Sequence, residues 1–145
     1  MKSIKSPSAD KEKRLSFLVQ ILARDIDAKM KAKLKERQTD VKLFQSLTLL
    51  SQRDGINQRT LAKKLQLPDY ITSRKVNALV KAEYVRRDLD PTNRRAHVLY
   101  LTNAGKARLL ELNEAAKGID CLYLNALANE DKEILMELLI KISEK

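Results

Sequence analysis

Leu15, Leu18, Val19, Leu22, Ile26, Met30 and Leu34 recur mostly at steps of three and four along the first part of the chain. That spacing is the stripe of an α-helix, expected from an Asp10 cap to about Arg37. Lys29, Lys31, Lys33 and Lys35 fall away from the stripe. A helix of roughly 27 residues is about 40 Å long, more than a small domain can cover, so part of the stripe is expected to meet a second subunit. Thr39 or Asp40 caps the next helix, which carries Phe44, Leu47, Leu49 and Leu50 to about Gln52. Asp54-Gly55 reads as a turn, and Ile56 as a single residue of strand.

Gln58–Leu65 reads as a short helix with Leu61, Ala62 and Leu65 inward. Gln66, Leu67 and Pro68 form a turn, because proline stops a helix from running through. Asp69–Lys81 is a second helix, with Thr72, Val76, Leu79 and Val80 inward and Tyr70, Ser73, Arg74 and Asn77 outward. Tyr84–Leu89 alternates as a strand does, Asp90 to Arg95 is polar turn chemistry, and His97–Leu101 returns as a second strand. Thr102 caps a long helix from Asn103 to about Ala128, whose apolar side includes Leu109, Leu112, Ala116, Ile119 and Tyr123. Asn129 is expected to cap the last helix, with Glu130 and Asp131 favourably placed against its dipole. Ile134, Leu135, Leu138, Leu139 and Ile142 form that helix's stripe. The fold class is therefore mostly α with a small β-hairpin.

Composition narrows the class. A chain of 145 residues suits one domain. Three Gly and three Pro are too few for a turn-rich β sandwich. No apolar run approaches the roughly 20 residues that span a bilayer. The opening MKSIKSPSAD lacks the apolar core of a secretory signal, and the single Cys forms no internal disulfide, so the expected compartment is cytoplasmic, away from the membrane. The net charge of +10 is unevenly spread: +6 over residues 1–56, +7 over 57–106 and −3 over 107–145. A basic body with a mildly acidic C-terminal third fits a polyanion on one face.

The basic middle segment has the parts needed to grip a duplex. The major groove admits one helix, whose outward residues meet base edges. In the helix Asp69–Lys81, Arg74 can fork onto guanine or hold a phosphate, Asn77 can pair with adenine, and Ser73 can read either base type. Tyr70 can contact phosphate. The hairpin places Arg94 and Arg95 at a thin tip suited to the narrow, negative minor groove. Asn93 can hydrogen-bond the loop and orient a guanidinium. Arg86 and Arg87 add phosphate contacts that position without reading sequence. The bland reading is an amphipathic helix beside a decorated surface turn.

From Asp90 to Gly105 the chain reads D-P-T-N-R-R-A-H-V-L-Y-L-T-N-A-G. This resembles the wing of the MarR (multiple antibiotic resistance regulator) family, D-P-x-D-R-R followed by L-T-x-x-G. The earlier Q-R-T-L-A-K-K-L and S-R-K-V-N-A-L are also similar to family sequence. The resemblance implies one domain: residues 38–102 as a winged helix-turn-helix lobe, with recognition helix 69–81 and wing 84–101, and 10–37 with 103–145 as an intertwined helical dimerisation region. It implies a homodimer on double-stranded DNA, a pseudo-palindromic operator and, in many relatives, repression released by a small anionic or phenolic effector. It also implies that Arg95 enters the minor groove, held by an acidic residue two positions earlier.

The sequence departs from the pattern at that acidic position, which is Asn93, with Asp90 as a substitute clamp if the loop bends suitably. Gln66 and Glu83 stand where the family has glycine, so both require unusual backbone angles or altered turns. Thr72 and Lys75 replace apolar residues, and Lys75 is expected to reach out toward phosphate. Cys121 reads as a buried packing cysteine rather than a redox sensor, since no basic neighbour in sequence would activate it. His97, the only histidine, anchors no zinc site and reads as a wing-strand residue near phosphate. Phe17, Phe44 and Leu112 read as core, so no effector-lining residue is assigned and no cofactor or metal is expected.

Paired carboxylates in a plausible cleft, a Ser-His-Asp set and a glycine-rich phosphate loop are all missing, so no enzyme is expected. The competing class is a winged-helix protein-interaction or non-specific nucleic-acid-binding module without operator specificity. Asn93, Gln66 and Glu83 favour it.

Overall fold

The computed structural model describes residues 14–53 and 55–144 and, for Arg94, the backbone alone. The expected Asp10 cap and the Asp54 half of the expected turn lie outside the described residues. In chain order the elements are α1 (Leu15–Glu36), α2 (Val41–Gln52), β1 (Ile56–Asn57), α3 (Gln58–Leu65), α4 (Asp69–Lys81), β2 (Val85–Asp90), β3 (Asn93–Leu101), α5 (Asn103–Leu124) and α6 (Asn129–Ser143).

Local chemistry sets most of these boundaries. Asp40, not Thr39, caps α2, accepting the Leu43 amide at 2.8 Å. Asn57 caps α3 through the Arg59 amide, and Thr102 caps α5 through the Gly105 amide at 3.0 Å. Asn129 does not cap α6. It is the first helical residue, and Ala128 precedes it without a side-chain cap. The α5 helix ends at Leu124, short of the expected Ala128, because the chain turns at Asn125–Leu127 before α6.

The sheet has the order β1-β3-β2, antiparallel throughout. Ile56 and Asn57 lie opposite Leu99 and Val98, so the expected single strand residue is a two-residue strand. In the hairpin, Leu89 lies opposite His97 but Asp90 lies opposite Asn93. Arg94, Arg95 and Ala96 are thus left without partners across the ladder, an enlarged bulge. The turn itself is only Pro91-Thr92. Arg94 and Arg95 therefore sit just beyond the tip, on the bulged start of β3, rather than in the turn.

One core holds the lobe to the long helices. Leu34 of α1, Leu47 and Leu50 of α2, Leu61 and Leu65 of α3, Val76 and Leu79 of α4, Val85 and Leu99 of the hairpin, and Leu109 and Leu112 of α5 form a single buried cluster. Burying a Leu or Val side chain contributes about 1.5–3 kcal/mol, so this cluster dominates the fold. Phe44 packs partly buried against it, and Leu112 is fully buried. Phe17 departs from expectation: it is 44% exposed. It shares the outer half of α1 with exposed Leu15, Leu18, Val19 and Leu22, and no residue of α6 is buried. Cys121 is half-buried rather than enclosed. No described helix is long and apolar enough to cross a membrane.

Candidate nucleic-acid interface

The turn between α3 and α4 is made without glycine. Gln66 takes a left-handed φ of 57°, and its amide reaches back to the Ala62 and Lys63 carbonyls. Leu67 donates to the Ala62 carbonyl at 3.1 Å, closing the helix end. Glu83 takes φ 66° before the hairpin, in the same role. Both non-glycine residues thus adopt the backbone angles that their positions demand. Thr72 is fully buried, and its hydroxyl donates to the Pro68 carbonyl at 3.1 Å, so a polar residue fills an inward position without a lost hydrogen bond.

The outward face of α4 is as the periodicity requires. Tyr70 is 67% exposed, Arg74 and Asn77 are exposed, and Ser73 is half-buried. Two of the expected contacts are already engaged inside the protein. Arg87 Nη2 donates to Asn77 Oδ1 at 2.7 Å, joining β2 to α4, so the amide oxygen expected to accept from adenine already accepts from Arg87. Arg86 Nε donates to Asp88 at 3.0 Å, and its guanidinium lies over the Tyr100 ring, 4.6 Å from the centroid. Lys75 does not reach outward. It pairs with Asp40 at 3.1 Å, tying α4 to the cap of α2.

The wing differs from expectation in its clamp. Asn93 Oδ1 accepts the Arg95 backbone amide at 3.1 Å rather than its guanidinium. Asp90 is no substitute, because its Oδ1 accepts both the amide and the hydroxyl of Thr92, at 2.9 and 2.8 Å. Those two bonds, the amide first, hold the Asp90 carboxyl below its ordinary pKa. The Arg95 side chain is exposed.

Sequence reasoning missed a cleft of about 520 Å³ between the wing and the starts of α3 and α4. Asn57, Gln58, Arg59, Asp69, Asn93, Arg95, Ala96 and His97 line it. The signal was present as a repeated Asn-x-Arg, at 57–59 and 93–95. In both copies the Asn Oδ1 accepts the backbone amide of the arginine two residues on, at 2.8 and 3.1 Å.

An exposed second helix, braced by a first and flanked by a basic two-stranded wing, defines a winged helix-turn-helix protein. Residues 42–97 match the MarR family model. The fold as a whole is similar to a crystal structure of MarR, with a TM-score of 0.82 and 18% identity over 93% of this chain and 92% of that one. It is similar to a MarR transcriptional regulator from Methanosarcina mazei Go1, with a TM-score of 0.78 and 23% identity over 90% and 94% of the two chains. It is also similar to CouR from Rhodococcus jostii RHA1 bound to p-coumaroyl-CoA, with a TM-score of 0.72 and 19% identity over 96% and 95%. At these identities the likeness is one of fold. No curated protein matches the chain in sequence.

Proposed function

We propose that the protein is a sequence-specific, double-stranded-DNA-binding transcriptional regulator that acts as a homodimer on a pseudo-palindromic operator. The observation that carries this reading is the joint exposure of Tyr70 and Arg74 on α4, beside half-buried Ser73, and of Arg95 on the wing, within a lobe of strong positive charge. A helix with exposed polar residues suits the major groove, and an arginine on a thin hairpin suits the minor groove. Arg94 joins Arg95 on the wing in this reading. Arg86, Arg87, Asn77 and Asn93 shape the surface more than they read it, since each already holds a protein partner.

The homodimer is supported by the uncovered apolar stripes. Leu15, Leu18, Val19 and Leu22 of α1 and Ile134, Leu138, Leu139 and Ile142 of α6 are all exposed. Apolar patches of this extent are rare on monomers and mark association surfaces. Residues 14–37 and 103–144 are the dimerisation region in this reading. Repression, and release by a small anionic or phenolic effector, complete it. The bound p-coumaroyl-CoA of CouR supports an effector only by likeness of fold.

Selection of bound duplexes from a random pool tests the proposal. A palindromic consensus with half-sites about one helical turn apart is the expected result. Equal binding of every duplex would instead support the non-specific module, which the Asn77–Arg87 engagement favours by removing one base-reading acceptor.

A further inference from the structure

The repeated Asn-x-Arg turns bring two arginines from distant parts of the chain to one place. Arg59 follows β1 at the start of α3, and Arg95 lies on the bulge of β3. The pairing of Asn57 with Val98 holds the two segments side by side. Both arginines line the cleft, both are exposed, and among the described residues neither has a carboxylate within ion-pair distance. Half-buried His97 lines it as a further donor, and Asp69 is the one carboxylate among the described residues there. Among the described residues, one carboxylate against two guanidiniums leaves the cleft net positive. Gln58 adds a buried Oε1 with no hydrogen-bond partner among the described residues, an acceptor that a guanidinium closing over an anion would satisfy.

We infer that this cleft is a phosphate site, seating one phosphodiester of the duplex backbone between the wing and α3, with Arg59 as its principal ligand and Arg95 at its rim toward the minor groove. The inference rests on the DNA-binding reading and adds Arg59 to the interface, beside the His97 already expected near phosphate. The open cleft, of about 520 Å³, has room for more than a lone phosphate. The site would fix the register of the wing against the helix pair without reading sequence, as phosphate contacts do.

The test measures affinity for a selected duplex across a salt series, for wild type, Arg59→Gln, Arg59→Lys and, as a distant surface control, Lys132→Gln. Arg59→Gln is expected to weaken binding about tenfold on every duplex alike and to lower the salt slope by about 1. Arg59→Lys should keep the slope, and Lys132→Gln should change neither quantity. Arg59 is exposed, so all variants should melt as wild type does. If wild type binds its duplex and Arg59→Gln matches it in affinity and slope, the phosphate site is wrong while the DNA-binding reading stands. If wild type binds no duplex, both fall. Amide and ring resonances of Arg59, Arg95 and His97, followed during titration with inorganic phosphate, separate the two sources of phosphate. Saturation by the free ion below millimolar concentration would overturn the backbone assignment. Weak, unsaturated shifts are the expected outcome.

Discussion

Arg87 Nη2 meets Asn77 Oδ1 at 2.7 Å, and this bond joins the wing strand to the second helix of the pair. Arginine carries only donors, so the amide oxygen must be the atom that faces it. The acceptor is neutral, and Arg87 Nε is buried with no partner among the described residues. A single side-chain hydrogen bond, from a charged guanidinium to a neutral amide, thus adds to the packing between the wing strand and α4. Asn77→Ala should cost about 1 kcal/mol. Asn77→Asp turns the bond into an ion pair and should gain up to about 1 kcal/mol. Urea unfolding reads both, and equal midpoints for all three proteins would remove the bond from the account.

Gln66 and Glu83 hold left-handed angles of 57° and 66° with side chains attached. Such a conformation costs a non-glycine residue about 1 kcal/mol or more, and glycine's greater freedom in the unfolded chain returns part of that. Gln66→Gly and Glu83→Gly should each stabilise the protein by about 0.5 kcal/mol. A lower melting temperature for either variant would contradict the strain argument.

Gly105 is required for a different reason. A Cβ there would lie 2.1 Å from the Tyr84 carbonyl oxygen and 2.8 Å from Leu101 Cδ1. The Tyr84 carbonyl also accepts the Thr102 amide, and the Thr102 hydroxyl donates to the Glu83 carbonyl at 2.7 Å, so the backbone cannot retreat cheaply. Gly105→Ala should destabilise by about 2 kcal/mol or more, with α5 displaced from the base of the wing. Calorimetry showing an unchanged melting temperature would sink this expectation.

Asp25 on α1 accepts hydrogen bonds from Lys29, at 2.6 Å, and from the Tyr123 hydroxyl of α5. These bonds, Lys29 first and Tyr123 second, hold its carboxyl below the ordinary 3.8. The folded-state pKa is depressed, so the stabilisation is fully present above the unfolded value and is lost as pH falls through the folded one. Asp25→Asn should therefore be less stable than wild type at neutral pH, with the gap closing only below about pH 4. A gap that is constant down to pH 2 would show that the carboxylate's charge plays no part.

The local code of this chain was legible because it is written in short range. The limits of α3 and α4, the Thr102 cap and the inward Leu61, Leu65, Val76 and Leu79 follow from helical periodicity and capping, which involve residues three or four apart. The same reasoning misplaced the start of α6. Asn129 is a good cap by type, but the turn from α5 delivers Ala128 to that position instead.

What the tertiary structure decided was which polar groups are spent on the protein itself. The sequence offered Asn77, Arg87 and Lys75 as free to meet DNA and Asp90 as a clamp for Arg95, yet Arg87 lies against Asn77, Lys75 against Asp40, and Asp90 against Thr92. The first two partnerships join residues ten and thirty-five apart, a proximity that only chain folding creates. The cleft of Arg59 and Arg95 has the same origin, since strand pairing rather than sequence spacing brings the two Asn-x-Arg turns together. Periodicity fixes which face of an element is apolar, because each helix must bury one stripe. It cannot fix which polar side chains meet across elements, because a hydrogen bond depends on distances set by the packed core.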